Sequence, residues 1–308
     1  MKLARAALCL TALAAVVGCS FDDRFIRAYM GGSDASTTTQ QSCLRGASGC
    51  GLVSVPGATF AMGDVMARRG GPVQPAITVS AFMIDRYEVT VARFRSFWDA
   101  GHPGVPDQWV VYRGGRNLPW ALATSEPGRT EDIAECTWTP AAGNFESRPI
   151  NCVDWFTAQA FCVWDGGRLP TEAEWELAAR GTDGRAFPWG NDAPDARLCW
   201  GGVDQGVTGP CDEEGGAFVA GASPFGAVHM SGNVWEWTAD SYADYGTSDC
   251  WMGAAQTDPI CSADSNSNRV VRGGAWHYTD LTDLRAAARG GVSPTSRNVF
   301  GIGFRCAR

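Results

Sequence analysis

Ten cysteines downstream of the N-terminal segment constrain the fold of this chain more than any other feature of its sequence. The chain of 308 residues has 12 cysteines, and two of them, Cys9 and Cys19, lie in the first 19 residues. The other ten are Cys43, Cys50, Cys136, Cys152, Cys162, Cys199, Cys211, Cys250, Cys261 and Cys306. None forms a C-x-x-C pair, which argues against a zinc ribbon or a thioredoxin-like redox site. Their even number predicts disulfides in an exported chain.

The N-terminal sequence, MKLARAALCLTALAAVVGCS, predicts export and lipid attachment. A basic start with Lys2 and Arg5 precedes an apolar run that is too short to span a bilayer. The run ends in Val-Val-Gly-Cys, which matches the lipobox of bacterial lipoproteins. We therefore expect residues 1–18 to be a lipoprotein signal peptide and Cys19 to carry the lipid. The alternative is an ordinary signal peptide that is cleaved near Gly18.

Lipidation at Cys19 predicts a location in the bacterial cell envelope, with the membrane as a partner of the chain. Two or three acyl chains would anchor the protein stably, whereas one would not. Ser20 follows Cys19. By the sorting rule of enteric bacteria, serine rather than aspartate at this position favours the outer membrane.

The composition favours a loop-rich globular protein over a helical bundle. Hydrophobic residues make up 45% of the chain, which is enough for a sizeable core. The 38 glycines and 13 tryptophans indicate many turns that are held by aromatic rings. The net charge of −8, without clusters of Lys or Arg, argues against a nucleic-acid partner, because phosphate contacts need a basic surface.

Changes in composition divide the chain into a tether and one domain. Residues 19–51 are small and polar without periodicity, which predicts a lipidated tether. Residues 52–308 form the predicted domain. Alternation of apolar and polar residues predicts strands in VSVPGATFAMGD and PAITVSAFMIDRYEVT, and strands are also expected in RVVRGGAW and GIGFRCAR. Residues 103–148 are interpreted as an irregular insertion, and the segment after Gly181, including GNVWEW, as mainly loops.

Apolar stripes at helical spacing predict three short helices, in VARFRSFWDAG, VDWFTAQAFCVWDGG and RLPTEAEWELAARG. Thr171 followed by Glu174 is a capping box at the start of the third helix. Gly181 supplies its end.

Six segments, taken in order, resemble the formylglycine-generating enzyme (sulfatase-modifying factor) family. They are MIDRYEVTVARFRSFWDAG, RPINCVDWFTAQAFCVWDGGRLPTEAEWELAARG, FPWGND, GNVWEWTAD, RVVRGGAW and FGIGFRCAR. The resemblance covers residues 52–308. It implies an α+β fold, a loop-rich variant of the C-type lectin fold that disulfides stabilise.

The resemblance also implies one disulfide, between Cys162 and Cys306. A second bridge of the family falls on Ala179 and Ala286, so both of its partners are missing together. Proximity in the sequence suggests the other four pairs, because short loops close at low entropic cost. These pairs are Cys43–Cys50, Cys136–Cys152, Cys199–Cys211 and Cys250–Cys261.

The active site of the family uses two cysteine thiolates, which suit soft Cu(I) and act with oxygen on a substrate cysteine in a C-x-P-x-R motif. Here the first cysteine falls on Tyr278 and the second in the region of Leu281 to Asp283, and a serine of the same turn is Ala275. No catalytic residue is therefore assigned. The resemblance argues against copper as a cofactor and against formylglycine generation.

A structural calcium site of the family matches Gly232, Val234 and Glu236, which makes these residues the candidate calcium ligands. The first ligand position of this site along the chain, normally Asn or Asp, is His229 here. A neutral imidazole is a poor ligand for a hard cation. A second calcium site normally takes an asparagine where Cys199 stands. Calcium is thus the one cofactor that the resemblance leaves open, at a weakened site.

Trp276, His277, Tyr278 and Arg289 are the candidate residues of a ligand groove. The alternative for the tryptophans is a place in the core. One interpretation of His229 and His277, together with Asp280 or Asp283, is a non-haem iron site. The alternative is that the histidines only form hydrogen bonds in loops. Arg285 and Arg289 would clamp a carboxylate or form internal salt bridges, and CDEEGG would bind a cation or be a solvated acidic loop.

These observations predict a lipid-anchored protein of the sulfatase-modifying-factor type that lacks formylglycine-generating activity. Its domain would act as a binding or scaffold module for a peptide, glycan or protein partner, an expectation that rests on the missing thiols and the lectin-like fold. One alternative is a divergent oxidoreductase of the same family that uses iron or copper. The other is a true formylglycine-generating enzyme that acts on sulfatases, so sequence leaves the enzymatic status open.

Overall fold

The part of the chain that the computed structural model describes begins at residue 39. It covers residues 39–104, 110–112, 116–118, 124–129, 133–202, 207–214, 216–246, 248–251, 255–262, 267–297 and 301–308. The predicted signal peptide, Cys19 and most of the predicted tether lie outside these residues. A search of the described part finds no helix of the length and apolarity needed to cross a membrane.

The described strands are short and form four small sheets. Strands β1 to β11 are Leu52–Val55, Ala58–Met62, Gln74–Val79, Phe82–Asp85, Val110–Tyr112, Arg116–Leu118, Trp235–Ser241, Gln256–Thr257, Arg269–Arg272, Arg289–Val292 and Ile302–Gly303. One sheet has four strands in the order β10-β9-β7-β11. The others are β2-β3-β8 and the pairs β1-β4 and β5-β6. With the helices, this architecture confirms the predicted α+β class.

The three predicted helices are present, and each begins at a side-chain cap. They are α1 (Val91–Asp99), α2 (Trp155–Trp164) and α3 (Glu172–Arg180). Thr171 and Glu174 form the expected capping box of α3, and Gly181 ends the helix with φ of +66°. Such a φ suits glycine, which lacks a Cβ.

A further short helix, α4 (Leu281–Leu284), was not predicted from the sequence. The carboxylate of Asp280 caps it by accepting a hydrogen bond from the amide of Thr282. Two 3₁₀ turns, Gln41–Cys43 and Gly216–Gly221, complete the helical elements of the described part.

The interpretation of the GNVWEW region as loop was wrong, because β7 is a central strand of the four-stranded sheet. All seven residues of Trp235–Ser241 are buried. β7 pairs with β9 on one side and β11 on the other. Trp235 to Asp240 alternate apolar and polar residues, so the period-two signal of a strand was present in the sequence and was missed. The polar face is buried as well because it finds partners inside the protein, such as Arg305 for Glu236. In the last segment, GIGFRCAR, only Ile302–Gly303 forms a strand.

Residues 39–51, which the composition assigns to the tether, pack against the domain. The side-chain amide of Gln40 donates to Asp85 (3.0 Å), and the backbone amide of Ser42 donates to Asp165 (2.6 Å). The amide of Gly49 donates to Glu214 (2.8 Å). These contacts extend the folded part of the chain from Leu52 back to at least Gln40.

Five disulfides link the ten downstream cysteines, in the same pairs that the sequence suggests. Cys162–Cys306 closes a separation of 144 residues and ties α2 to the C-terminal end. The other four close separations of 7 to 16 residues. Ala179 and Ala286 are fully buried in one core cluster, where apolar packing takes the place of the family's second bridge.

Candidate functional site

A cleft of about 150 Å³ opens beside the four-stranded sheet. β10, the first residue of β7 and the first residue of β11 form its base, and Arg68 and Arg69 approach it from the loop between β2 and β3. His277 and Tyr278, which follow the Gly273-Gly274 turn, contribute its aromatic wall. The two glycines have φ of +101° and +77°, values that favour glycine over any residue with a Cβ.

The predicted groove residues reach this cleft only in part. His277 and Tyr278 line it, as the sequence suggested. Trp276 is buried and does not line the cleft, whereas Trp235 does. The GGAW motif contains Trp276 alone, so it gave no indication that Trp235, in GNVWEW, would line the cleft.

Arg289 borders the cleft, but its guanidinium is held inside the protein. It donates from Nε to Glu172 Oε1 (2.6 Å) and from Nη2 to Oε2 (2.9 Å). Its Cζ lies 3.8 Å from the centroid of the Tyr245 ring. The internal salt bridge, one of the two alternatives for this arginine, is therefore the observed one.

Arg285 also forms an internal salt bridge. Its Nε donates to the carboxylate of Asp64 (2.7 Å), which fastens the loop after β2 to the segment after α4. This ion pair supports the position of the neighbouring Arg68 and Arg69 at the mouth of the cleft.

The cleft contains no thiol that could bind copper. All ten cysteines of residues 39–308 are in disulfides, and Tyr278 stands where the family resemblance places the first thiolate. The Tyr278 ring packs edge-on against Trp235 at 5.9 Å between centroids. Leu281 to Asp283, the region of the second thiolate, is helix α4. Cu(I) prefers soft thiolate ligands, so the residues present do not fit the family's copper.

Glu236, one of the candidate calcium ligands, already pairs with a cation of the protein. Arg305 donates to both of its oxygens at 2.7 Å, and the Trp175 indole donates to Oε2 at 2.8 Å. With both oxygens engaged in this way, the carboxylate offers less charge to a hard cation such as calcium.

His229 lies buried beside this ion pair. Its ring is 4.9 Å from that of Phe218. Burial, together with the charge of Arg305, lowers the pKa of His229 to about 3, so the imidazole is neutral at physiological pH. Its backbone φ of +59° places it in the left-handed region.

A buried carboxyl pair, Glu88 and Glu213, lies next to the predicted calcium segment and was missed by sequence analysis. The amide of Asn233 donates to both carboxyl groups, at 2.6 Å and 2.9 Å. Burial and the neighbouring carboxylates hold the pKa of Glu88 well above its usual value, and burial raises the pKa of Glu213 to about 7. The prediction that CDEEGG is a solvated acidic loop is wrong for Glu213, which is 1% exposed.

Asn233 also holds the two ends of the Cys199–Cys211 bridge. Its backbone amide donates to Cys199 O, and its side-chain oxygen accepts from the amide of Cys211, both at 2.9 Å. The disulfide stands where the family places a second calcium ligand. No sequence signal identified Asn233 for this role, because its partners are 20 to 145 residues away.

The histidines and carboxylates proposed as an iron set do not assemble. The described residues contain no group of three or more His, Cys, Asp or Glu side chains arranged to hold a metal ion. Asp280 is the cap of α4, and both oxygens of Asp283 accept from Arg68 Nη1, at 3.0 and 3.1 Å. Burial lowers the pKa of His277, which leaves a neutral imidazole in the cleft wall.

Comparison with known proteins accounts for this architecture. The sulfatase-modifying factor enzyme 1-like domain model matches residues 38–308. The chain is 33% identical over 293 residues to the formylglycine-generating enzyme of Thermomonospora curvata, covering 83% of this chain and 93% of that protein. It is 32% identical over 291 residues to the inactive C-alpha-formylglycine-generating enzyme 2 of Mus musculus, covering 83% and 85%.

Among solved structures, PvdO from Pseudomonas aeruginosa has the same fold, with a TM-score of 0.62 and 24% identity, covering 90% of this chain and 99% of that one. The sequence relatives include proteins named as active and as inactive, so similarity alone does not assign an activity. The chain belongs to the formylglycine-generating enzyme (sulfatase-modifying factor) family.

Proposed function

We propose that this protein is a ligand-binding member of the family that does not generate formylglycine. One observation carries the proposal: every cysteine of residues 39–308 is in a disulfide. The family resemblance adds that Tyr278 stands where the first copper thiolate would be. A phenol with a usual pKa near 10 is a hard oxygen donor and does not replace a thiolate on Cu(I).

The cleft supports a binding role. Its walls combine aromatic rings, glycines and arginine side chains, a mixture of apolar surface with a few polar groups that is typical of ligand sites. Arg68 and Arg69 lie on a loop that ion pairs and backbone hydrogen bonds fasten to α4 and β10. A rigid site of this kind loses little conformational entropy when a ligand binds.

The same proposal places the domain in the bacterial cell envelope. The lipid on Cys19 would anchor the chain in the outer membrane, and the polar segment after it would hold the domain off the bilayer. In this location the domain would present its cleft to a peptide, glycan or protein partner. It needs neither copper nor calcium for this role.

An oxidation assay tests the proposal. The full chain in detergent is reconstituted with Cu(I) and incubated with oxygen and a C-x-P-x-R peptide, and the aldehyde product is followed by mass spectrometry. The Thermomonospora curvata relative serves as the positive control. We expect no aldehyde above the level of peptide and copper alone, and product formation that requires the protein would contradict the proposal.

Elemental analysis of the same preparation tests the alternative oxidoreductase. Near-stoichiometric iron or copper that survives dialysis would support that alternative and contradict a purely binding role. The variants His277→Ala and His229→Ala would then show whether either histidine holds the metal.

A further inference from the structure

The cleft carries positive charge on a chain that is acidic overall. The net charge of the chain is −8, yet the cleft is lined by Arg68, Arg69 and Arg289 and by no Asp or Glu. Glu172 neutralises Arg289, and Asp283 neutralises Arg68. Arg69 has no hydrogen bond or ion pair with any residue that the structure describes. The Arg69 guanidinium therefore lies at the mouth with only the longer-range attraction of Asp283, which Arg68 already pairs.

The backbone next to Arg69 is fixed, so the fold determines where this side chain begins. The amide of Arg68 donates to Thr282 O (2.9 Å), and Arg68 O accepts from the amide of Arg289 (3.0 Å). Arg69 itself has a φ of +51°, in the left-handed region that residues with a Cβ rarely adopt. Such strained residues cluster at ligand sites.

β10 offers a free strand edge in the same cleft. It pairs with β9 on one side and forms the end of the four-stranded sheet. Because the amide of Arg289 points away from β9, towards Arg68, the alternation of an antiparallel pair turns the N–H and C=O of Gly291 outwards as well. No described residue bonds to these outward groups of Gly291, which is half-buried, lines the cleft and packs on one face against the Tyr242 ring.

The size and the rim of the cleft favour a peptide over a glycan. Its volume of about 150 Å³ is below the roughly 300–1,000 Å³ of small-molecule pockets and suits a single side chain. Val65 and Met66, on the same loop as Arg69, are 72% and 65% exposed. Exposed apolar side chains beside a free strand edge suit an extended peptide with alternating apolar residues.

We propose that the cleft recognises a carboxylate on an extended peptide, bound by Arg69 and by the outward edge of β10 at Gly291. The guanidinium donates charge-assisted hydrogen bonds to the carboxylate. Gly291 donates its N–H to a peptide carbonyl and accepts a peptide N–H, as in strand addition. The carboxylate belongs to an acidic side chain or to the end of the peptide chain. This inference rests on the proposed binding function and specifies its ligand.

Titration with matched peptides tests the inference. The probes are acetylated and amidated hexapeptides of valine and threonine that carry glutamate or glutamine at one central position. Their Kd for the full chain in detergent is measured by calorimetry. We expect the glutamate peptide to bind about tenfold more tightly than the glutamine peptide, the effect of one hydrogen bond to a charged group.

Two variants and one modified probe locate the contacts. Arg69→Gln should abolish the difference between the peptides, and the matched control Arg45→Gln should retain it, since Arg45 is also exposed but lies outside the cleft. N-methylation of the backbone amides around the central residue should weaken the glutamate peptide about tenfold or more. Unchanged thermal unfolding of Arg69→Gln establishes that the variant is folded.

A shortened glutamine peptide, whose chain ends in a free carboxylate at the residue that is central in the hexapeptides, distinguishes an acidic side chain from a chain end. If it binds as tightly as the glutamate peptide, the cleft recognises a chain end; if it does not, the cleft recognises an acidic side chain. Equal binding of the glutamate and glutamine peptides, or binding unaffected by Arg69→Gln, would overturn the inference. Binding of chitotriose alone would overturn it too and leave the binding function standing, whereas copper-dependent peptide oxidation would contradict the binding function itself.

Discussion

The carboxyl pair of Glu88 and Glu213 makes the stability of the domain depend on pH in a defined direction. Burial raises the pKa of Glu213 from 4.5 to about 7. Between these values the folded state keeps a proton that the unfolded state has released. The stabilisation is therefore complete below pH 4.5 and is lost as the pH rises through 7. At about 1.4 kcal/mol for each pH unit, the change is about 3 kcal/mol.

The substitution Glu213→Gln isolates this effect from the many other titrating groups. A neutral amide at position 213 cannot titrate, so its packing cost is the same at every pH. The difference in unfolding free energy between wild type and variant should therefore shift by about 3 kcal/mol in favour of the variant from pH 4.5 to pH 8. Urea unfolding followed by tryptophan fluorescence, with the disulfides intact, measures this difference.

Glu214→Gln is the matched control, because Glu214 is the next residue and its side chain is exposed. Its difference from wild type should stay within about 0.5 kcal/mol over the same range. A Glu213→Gln difference that is equally constant would refute the proton retained by Glu213. It would mean that Glu213 is ionised in the folded state, where the Asn233 side chain and the backbone amide of Glu88 donate to it.

Four further predictions concern a disulfide, a buried ion pair, a helix cap and the candidate calcium site. Replacing both Cys162 and Cys306 by alanine should reduce the unfolding free energy by about 5 kcal/mol, because the bridge closes 144 residues; urea titration measures the loss. Glu236→Gln should cost about 3–5 kcal/mol in the same titration, since it leaves the buried Arg305 without its partner charge. Thr171→Ala removes the cap of α3 and should cost about 1 kcal/mol, measurable as a lower Tm. Millimolar calcium, compared with a chelator, should leave the Tm of the wild type unchanged, and an increase of several degrees would contradict the saturated state of Glu236.

Local features of the fold could be predicted from sequence because their signals are local. The capping box at Thr171 and Glu174 and the glycine at 181 are contained in one helix. Four of the five disulfides join cysteines no more than 16 residues apart, so proximity was a sufficient guide. The fifth, Cys162–Cys306, could be assigned only through family resemblance.

Long-range features could not be predicted, for physical reasons that differ between them. The burial of both faces of β7 depends on distant partners such as Arg305, although its apolar-polar alternation is visible in the sequence. Arg69 reaches the cleft because the neighbouring Arg68 contacts α4 and β10, which lie more than 200 residues away along the chain. Glu88 meets Asn233 across 145 residues. Spacing within a motif contains no information about such contacts, whereas the missing thiols of the cleft were inferred from the family resemblance, which places the first of them at Tyr278.

The central claim is that the folded domain has no thiolate for copper chemistry, and thiol mapping tests it most directly. The full chain is denatured without reductant, alkylated with iodoacetamide, digested and analysed by mass spectrometry. We predict no alkylated cysteine between residues 39 and 308, and ten after prior reduction. Stoichiometric alkylation of two of these cysteines without reductant would contradict the account and restore the possibility of thiolate chemistry in the cleft.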